Sequence, residues 1–411
     1  MEISHIVSRC FDLFFQYLYP LTPLVHEPSL RNDLAYFMSR ASSNLDLEVS
    51  SATSGPGADS WYSGTRSMPD PWLESTFTLI TAVCAEAAFL LPKDLFPEGE
   101  AVGEILLSAS RNCLNSYLEA DLEAPNANSI AIRYFHSNCI HAAGKPKYSW
   151  HIFGEATRLA QVMQLHDESS LEGLLPIEAE LRRRAFWIVY MGDKSAAILN
   201  NRPITIHRFS FESGNTTAYP TGIEDEVPVG PSPGSSSEGG RRCFIDGFNA
   251  NLRLWQAASD LLLEVRLLQD AQGSVLGASN LTNPPIPSDQ RQRLDSLYVQ
   301  FITCLDDLPP YLQSYNFAAA ASNDSREEAQ GKQFIIQCAN LQVSLHCLRM
   351  VITQKFDDMS YFGTSVEQAE LRRTEIARDM LRVMHEAPFW SLQVNGEPYV
   401  SFSVKRNYLA A

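Results

Sequence analysis

Between Ile177 and Asn200 apolar residues recur at helical spacing without a break, and that stretch dictates what the rest of the chain must be. Leu181, Ala185, Ile188 and Gly192 fall on one face, Phe186, Val189, Tyr190 and Ala197 widen it, and Trp187 adds further apolar area. A helix this apolar is expected to be covered on most sides. The same spacing recurs at about 3–19, 71–91, 99–119, 127–142, 149–166, 244–270, 288–307, 329–356 and 365–387, while strand-like alternation is rare. The expected fold class is therefore all-α, an irregular multi-helix bundle of packed antiparallel helix pairs. No fixed-period repeat is present, so the sequence does not support a regular solenoid, although paired helices can stack irregularly.

Low-complexity segments punctuate the helices at Ala41–Pro71, rich in Ser, Gly and Pro, and at Phe211–Arg242, with shorter breaks at Gln272–Pro287 and Ala318–Ser325. The second includes GPSPGSSSEGG and carries too little apolar surface to fold alone. It divides the chain into an expected N-terminal helical unit, 1–210, a linker or loop, 211–242, and a C-terminal helical continuation, 243–411, which shares one core with the first unit or forms its own.

Two local features sharpen the reading. In SWHIFGEATRLAQVMQLH, Ile152, Ala156, Leu159 and Met163 keep helical spacing, with Ser149 expected as N-cap and Gly154 expected to face a closely packed backbone. Glu178 precedes Arg182, and Glu180 precedes Arg184, by four residues in the favourable acid-before-base order. Arg182, Arg183 and Arg184 thus read as partners of local carboxylates rather than as a phosphate patch.

The charge balance agrees. With 48 acidic against 32 basic residues the net charge is −16, a field that repels phosphate, so the chain is not expected to grip DNA or an anionic membrane unaided. The opening residues carry Glu2 and His5 and no long apolar core after a basic start, and the eight cysteines form no C-x-x-C pair. Reduced, buried thiols of an intracellular protein are expected. His136 and His141 are five residues apart, not the four that align two ligands on a helix face. His26, His151 and His166 lack ligand-spaced partners, Asp167 and Glu168 beside His166 excepted. No catalytic, cofactor-binding or metal-binding residue is assigned, and no phosphate loop or nucleophile elbow occurs.

Three blocks carry a resemblance. In Phe14–Leu30 an aromatic helix leads into Pro23, His26 and Pro28. Ser149–His166 has Trp150, Gly154, Ala156, Arg158, Ala160, Leu165 and His166. Glu180–Pro203 has Arg182, Arg183, Arg184, Phe186, Trp187, Asp193, Arg202 and Pro203. In order and spacing these blocks resemble the fungal-specific transcription factor domain, the middle homology region of zinc-cluster regulators. Three positions depart from the pattern. Gln164 stands at the family's helix-ending Gly, where a left-handed backbone would cost about 1 kcal/mol. Lys194 replaces Arg and loses the planar fork. Asn201 replaces Gly, a mild change because Asn tolerates the left-handed region.

The resemblance implies a nuclear transcription regulator, not an enzyme, that controls a metabolic or biosynthetic gene set. It also implies a protein partner or homodimer and a small-molecule effector. No membrane role is implied. The family's zinc cluster needs six closely spaced cysteines, which these residues do not contain, so zinc enters only through a longer form that carries them. The motif residues are expected to be mainly structural. A DNA-free module that modulates a full-length transcription factor is the alternative, and an enzyme of unknown class is the remote one.

Overall fold

The computed structural model describes residues 3–51, 71–207, 212, 214–223, 226–227, 242–276, 286–313, 327–363 and 365–395. The fold is all-α, as expected. The strand content among these residues is one two-residue antiparallel ladder, β1 (Glu226–Val227) against β2 (Arg242–Cys243). Most of the expected 211–242 linker and all of the Ala318–Ser325 break lie outside the described residues. Chain contacts group into two compact units, Met1–Tyr19 with Pro23–Val189, and Pro20–Thr22 with Tyr190–Ala411.

The first unit contains α1 (Ile3–Leu13), α2 (Glu27–Ser51), α3 (Pro71–Leu90), α4 (Gly99–Ser116), α5 (Leu118–Glu123), α6 (Ala127–Ala142), α7 (Pro146–Val162) and the first half of α8 (Pro176–Asn200). α3 is its centre and packs on α1, α4 and α6, while α6 packs on α7. Ala85, Leu107, Cys139, Ile140 and Ile152 form one cluster where these helices meet.

Local chemistry explains most of the boundaries. Asn126 closes a capping box with Ser129 at the start of α6. α7 begins at Pro146, three residues before the expected N-cap, because proline is preorganised for the first helical position; Ser149 instead lies buried inside the helix. It ends where Gln164 takes φ +54° and the Leu165 N–H bonds to the Ala160 carbonyl at 3.0 Å. That is a Schellman-type cap with Gln in the glycine position, the strained departure anticipated above. Asn201, at φ +52°, likewise takes the left-handed conformation after α8.

Several expectations need correction. The helix from residue 3 changes pitch at Phe14–Leu18, a π-helical turn that brings Phe14, Phe15, Tyr17 and Leu18 all into the interior. α2 was not expected at all. It overlaps the Ala41–Pro71 break, and its apolar residues recur too irregularly to reveal it, whereas Arg31 supports it through Glu27 one turn earlier. The 99–119 helix breaks at Tyr117 into α4 and α5. Gly154 is exposed, and a Cβ built on it meets nothing within 4 Å, so no backbone approaches there.

The second unit contains the rest of α8, α9 (Phe244–Leu276), α10 (Ser288–Thr303), α11 (Glu327–Asp358), α12 (Val366–Glu386) and α13 (Phe389–Gln393). α9 runs six residues beyond the expected 270, into the expected Gln272–Pro287 break. α9, α10 and α11 share a core around Trp255, Leu261, Phe301, Leu348, Ile352 and Phe356. α11 also carries a second cluster with α12 and α13, built on Cys338, Ala339, Met380, Val383 and Leu392. Leu73–Leu90 and Gly331–Asp358 are long and apolar enough to cross a membrane by length and composition, but 67% and 72% of them is buried within the protein, as suits core helices.

The Gln337 amide fastens this unit. Its Nε2 donates to the Pro20 and Phe244 carbonyls at 2.8 and 2.6 Å. Gly247 makes room for it, since a Cβ there would stand 2.4 Å from the Gln337 amide. Gly247→Ala should therefore destabilise the unit by about 1–3 kcal/mol, although Ala is the better helix former by about 1 kcal/mol. Urea unfolding checks this, and an unchanged or raised midpoint would refute the tight contact.

Candidate functional site

Of the family-motif residues of the first unit, Pro23 and the three arginines meet around the first half of α8. Arg184 is 2% exposed, a burial that is costly for a guanidinium unless its donors are matched. Its Nε donates to Glu180 Oε1 at 3.0 Å, and its Nη1 donates to the Tyr19 hydroxyl at 3.1 Å and to the Pro23 carbonyl at 3.4 Å. The proline-flanked block is thereby tied to α8. Arg182 donates to Glu178 at 2.6 Å, and Glu178 also accepts the Ala127 N–H at the start of α6. Arg183 reaches Glu168 on the turn after α7, with Nε donating at 2.8 Å, and lies 3.8 Å from Glu180. All three arginines pair with carboxylates, as the acid-before-base spacing led us to expect for Arg182 and Arg184. Glu168 and Tyr19 were not foreseen as partners, because both arrive through tertiary structure.

Phe186 and Trp187 are buried and meet edge to face at 5.2 Å. Trp187→Ala is expected to cost about 3 kcal/mol, the low end for an aromatic truncation, because the Phe186 ring can relax into part of the space. A thermal midpoint that does not move would show that this face is not core.

The remaining motif residues are dispersed. His26 Nδ1 lies 2.7 Å from the Ser29 hydroxyl at the start of α2, and Pro28 is exposed in that helix's first turn. Trp150 stacks on Phe153 at 5.5 Å, and exposed Arg158 bonds to Gln161 on its own helix. Ala160 is buried and supplies the capping carbonyl. Burial pushes the half-buried His166 below the ordinary histidine range, against the pull of Asp167.

In the second unit Asp193, fully buried, accepts the Thr205 and Ile206 N–H groups at 2.8 and 3.1 Å and so holds the chain after Pro203 back against α8. Lys194 Nζ lies 3.1 Å from Asp193 and also donates to the Ile206 carbonyl. Desolvation lowers the Lys194 pKa, and Asp193 offsets part of that. One point donor satisfies carboxylate and carbonyl together, which answers the loss of the arginine fork. The Arg202 N–H bonds to the Ala196 carbonyl, and Pro203 is exposed.

Catalytic chemistry finds no support in this arrangement. Ser110 and His136 do lie 2.7 Å apart, a pairing that the sequence did not disclose. Yet Ser110 donates its only proton to the Thr78 carbonyl at 2.8 Å, so His136 Nε2 must itself be the donor and is no base for that serine. Burial, with Arg111 and Arg133 adding to it, pushes His136 down to about 3. His151 has a partner after all, Glu155 at 3.7 Å one turn on. The described residues contain no group of three or more His, Cys, Asp or Glu able to hold a metal ion. The cysteines do not fit a zinc cluster either: Cys338 and Cys347, the nearest pair in sequence, are both buried in α11 as free thiols.

A small cleft opens beside this network, between α4, α6 and α7, with a volume of about 170 Å³. Arg111, Leu114, Arg133, Tyr148, Ile152 and Glu155 are among its walls.

Residues 134–263 match the family described as the fungal specific transcription factor domain. The chain is 29% identical over 191 residues to the aurofusarin cluster transcription factor of Gibberella zeae, covering 46% of this chain and 25% of that protein. It is 32% identical over 103 residues to the citrinin biosynthesis transcriptional activator of Monascus ruber, covering 22% and 19%. An ABC-transporter-regulating transcription factor of Aspergillus fumigatus is 29% identical over 93 residues, covering 23% and 10%. The matches thus span a quarter or less of the length of these relatives. No solved structure matches.

Proposed function

We propose that this chain, which belongs through residues 134–263 to the fungal specific transcription factor domain family, is the regulatory body of a transcription regulator that controls a metabolic or biosynthetic gene set. The observation that carries the reading is the coincidence of the matched segment with the buried Arg184–Glu180 and Asp193–Lys194 networks. The motif residues hold a helical scaffold together, and the relatives are named as transcription factors, which supports a regulatory role. The relatives are named as regulators of biosynthetic clusters and of a transporter, and that supports the gene-set reading. The site of action is then the nucleus. With a net charge of −16, this chain contributes regulation and partner contact rather than a grip on DNA phosphates.

Transcript profiling of a strain lacking the gene, against the complemented strain, tests the proposal. A confined set of genes should change and recover. An unchanged profile under every condition in which the gene is expressed would overturn it. Changed transcripts without occupancy of their promoters by the tagged protein would instead favour a module acting through another transcription factor.

A further inference from the structure

Arg133, in the wall of the cleft between α4, α6 and α7, has an unmatched guanidinium edge. The Arg133 side chain is 1% exposed. Its Nη1 is well occupied, donating to the Ser129 carbonyl at 2.8 Å and lying 2.7 Å from Asp121 Oδ2. Its Nε and Nη2 have no hydrogen-bond partner. Those two N–H groups lie along one edge of the planar guanidinium, the edge that grips a carboxylate with two parallel bonds. Leaving both donors buried and unmet costs free energy, so the edge favours an added acceptor.

The nearest resident acceptor does not complete it. Glu155 Oε2 stands 3.4 Å from Nε, is 41% exposed, and also faces His151. It can swing into water when another carboxylate arrives. The rest of the cleft is chemically divided. Leu114, Leu118 and Ile152 present apolar surface. The Arg111 guanidinium lies 5.0 Å from the centre of the Tyr148 ring and donates to its hydroxyl, which adds a second cation and an aromatic wall. Asp121 is already engaged by Arg133 and by the Ser129 hydroxyl, and His136 is held neutral.

We infer that this cleft binds a compact monocarboxylate with a short apolar or aromatic body, its carboxylate seated on the Nε–Nη2 edge of Arg133 in place of Glu155. The small volume excludes drug-sized ligands. Such a ligand suits the effector of a regulator, but binding does not require that the chain regulate transcription.

Calorimetric titration of the full chain with benzoate tests the site, with benzamide as the uncharged isostere and inorganic phosphate as the competing oxyanion. Saturable benzoate binding is expected at millimolar concentration or below, at least tenfold tighter than for benzamide or phosphate. Glu155→Gln removes the competing carboxylate and should tighten benzoate severalfold. Arg133→Lys should weaken it at least tenfold, because an ammonium lacks the fork. If that variant fails to fold, Arg111→Ala, at a half-buried position, decides in its place and should weaken benzoate severalfold. Absence of benzoate binding to both the parent and Glu155→Gln up to about 10 mM would overturn the inference. So would binding that neither arginine variant weakens, or a preference for phosphate.

Discussion

Replacing Glu86 by Gln is expected to remove the loss of stability that this one carboxyl contributes between about pH 5 and pH 8, a contribution opposed below about pH 6.5 by the buried His136 and His346. Glu86 lies in the apolar centre of α3, fully buried, and burial pushes its carboxyl up from 4.5 to about 8. The Asn138 amide at 2.9 Å and the Cys139 thiol at 3.9 Å pull the other way without compensating. In the folded state the group therefore keeps its proton at neutral pH, whereas in the unfolded chain it has lost it. A raised carboxyl pKa contributes stability that is fully present below about 4.5 and is lost as pH rises through about 8. At 1.36 kcal/mol per unit the loss reaches roughly 3 kcal/mol at pH 7 and roughly 5 kcal/mol above pH 8. The glutamine side chain is nearly the same shape, keeps a carbonyl for Asn138 and cannot ionise. Urea unfolding of parent and Glu86→Gln should give similar stability at pH 5 and diverge by several kcal/mol at pH 8. Parallel profiles across that range would mean that Glu86 is solvated.

Arg184→Ala should cost about 4 kcal/mol. The substitution takes from the buried Glu180 its 3.0 Å partner, and from the Tyr19 hydroxyl and the Pro23 carbonyl a donor, and leaves a buried carboxylate short of its counter-charge. Arg183, 3.8 Å from Glu180 and engaged by Glu168, screens only part of the charge. The double change Glu180→Met with Arg184→Met should be much milder than Arg184→Ala, because apolar side chains of similar volume remove the charges together. Chemical denaturation of parent, single and double variants checks both statements. A loss below about 1 kcal/mol for Arg184→Ala would place the pair at the surface rather than in the core.

What was legible and what was not follow the range of the forces involved. The helical class and most helix positions follow from apolar spacing alone, since burying a continuous stripe is a local requirement repeated every turn. The pairs Glu178–Arg182 and Glu180–Arg184 were legible because i,i+4 neighbours meet on any helix. The left-handed residues Gln164 and Asn201 were legible as departures at positions where the pattern demands glycine. By contrast α2 has no clean stripe, and Gly154 looked like a packing glycine only because helix propensity carries no information about what lies opposite.

The amino-acid sequence by itself determined an all-helical chain, the left-handed helix ends at Gln164 and Asn201, the one-turn ion pairs Glu178–Arg182 and Glu180–Arg184, and the three motif blocks, all of which depend on residues a few positions apart. Only the tertiary structure decided that Arg184 is a core residue bridging Tyr19 and Pro23, that Glu86 holds a proton at neutral pH, and that Arg133, in the wall of a cleft, keeps two buried donors unmatched. Each of these depends on desolvation, and how far a charge is removed from water is set by segments that meet in space rather than along the chain.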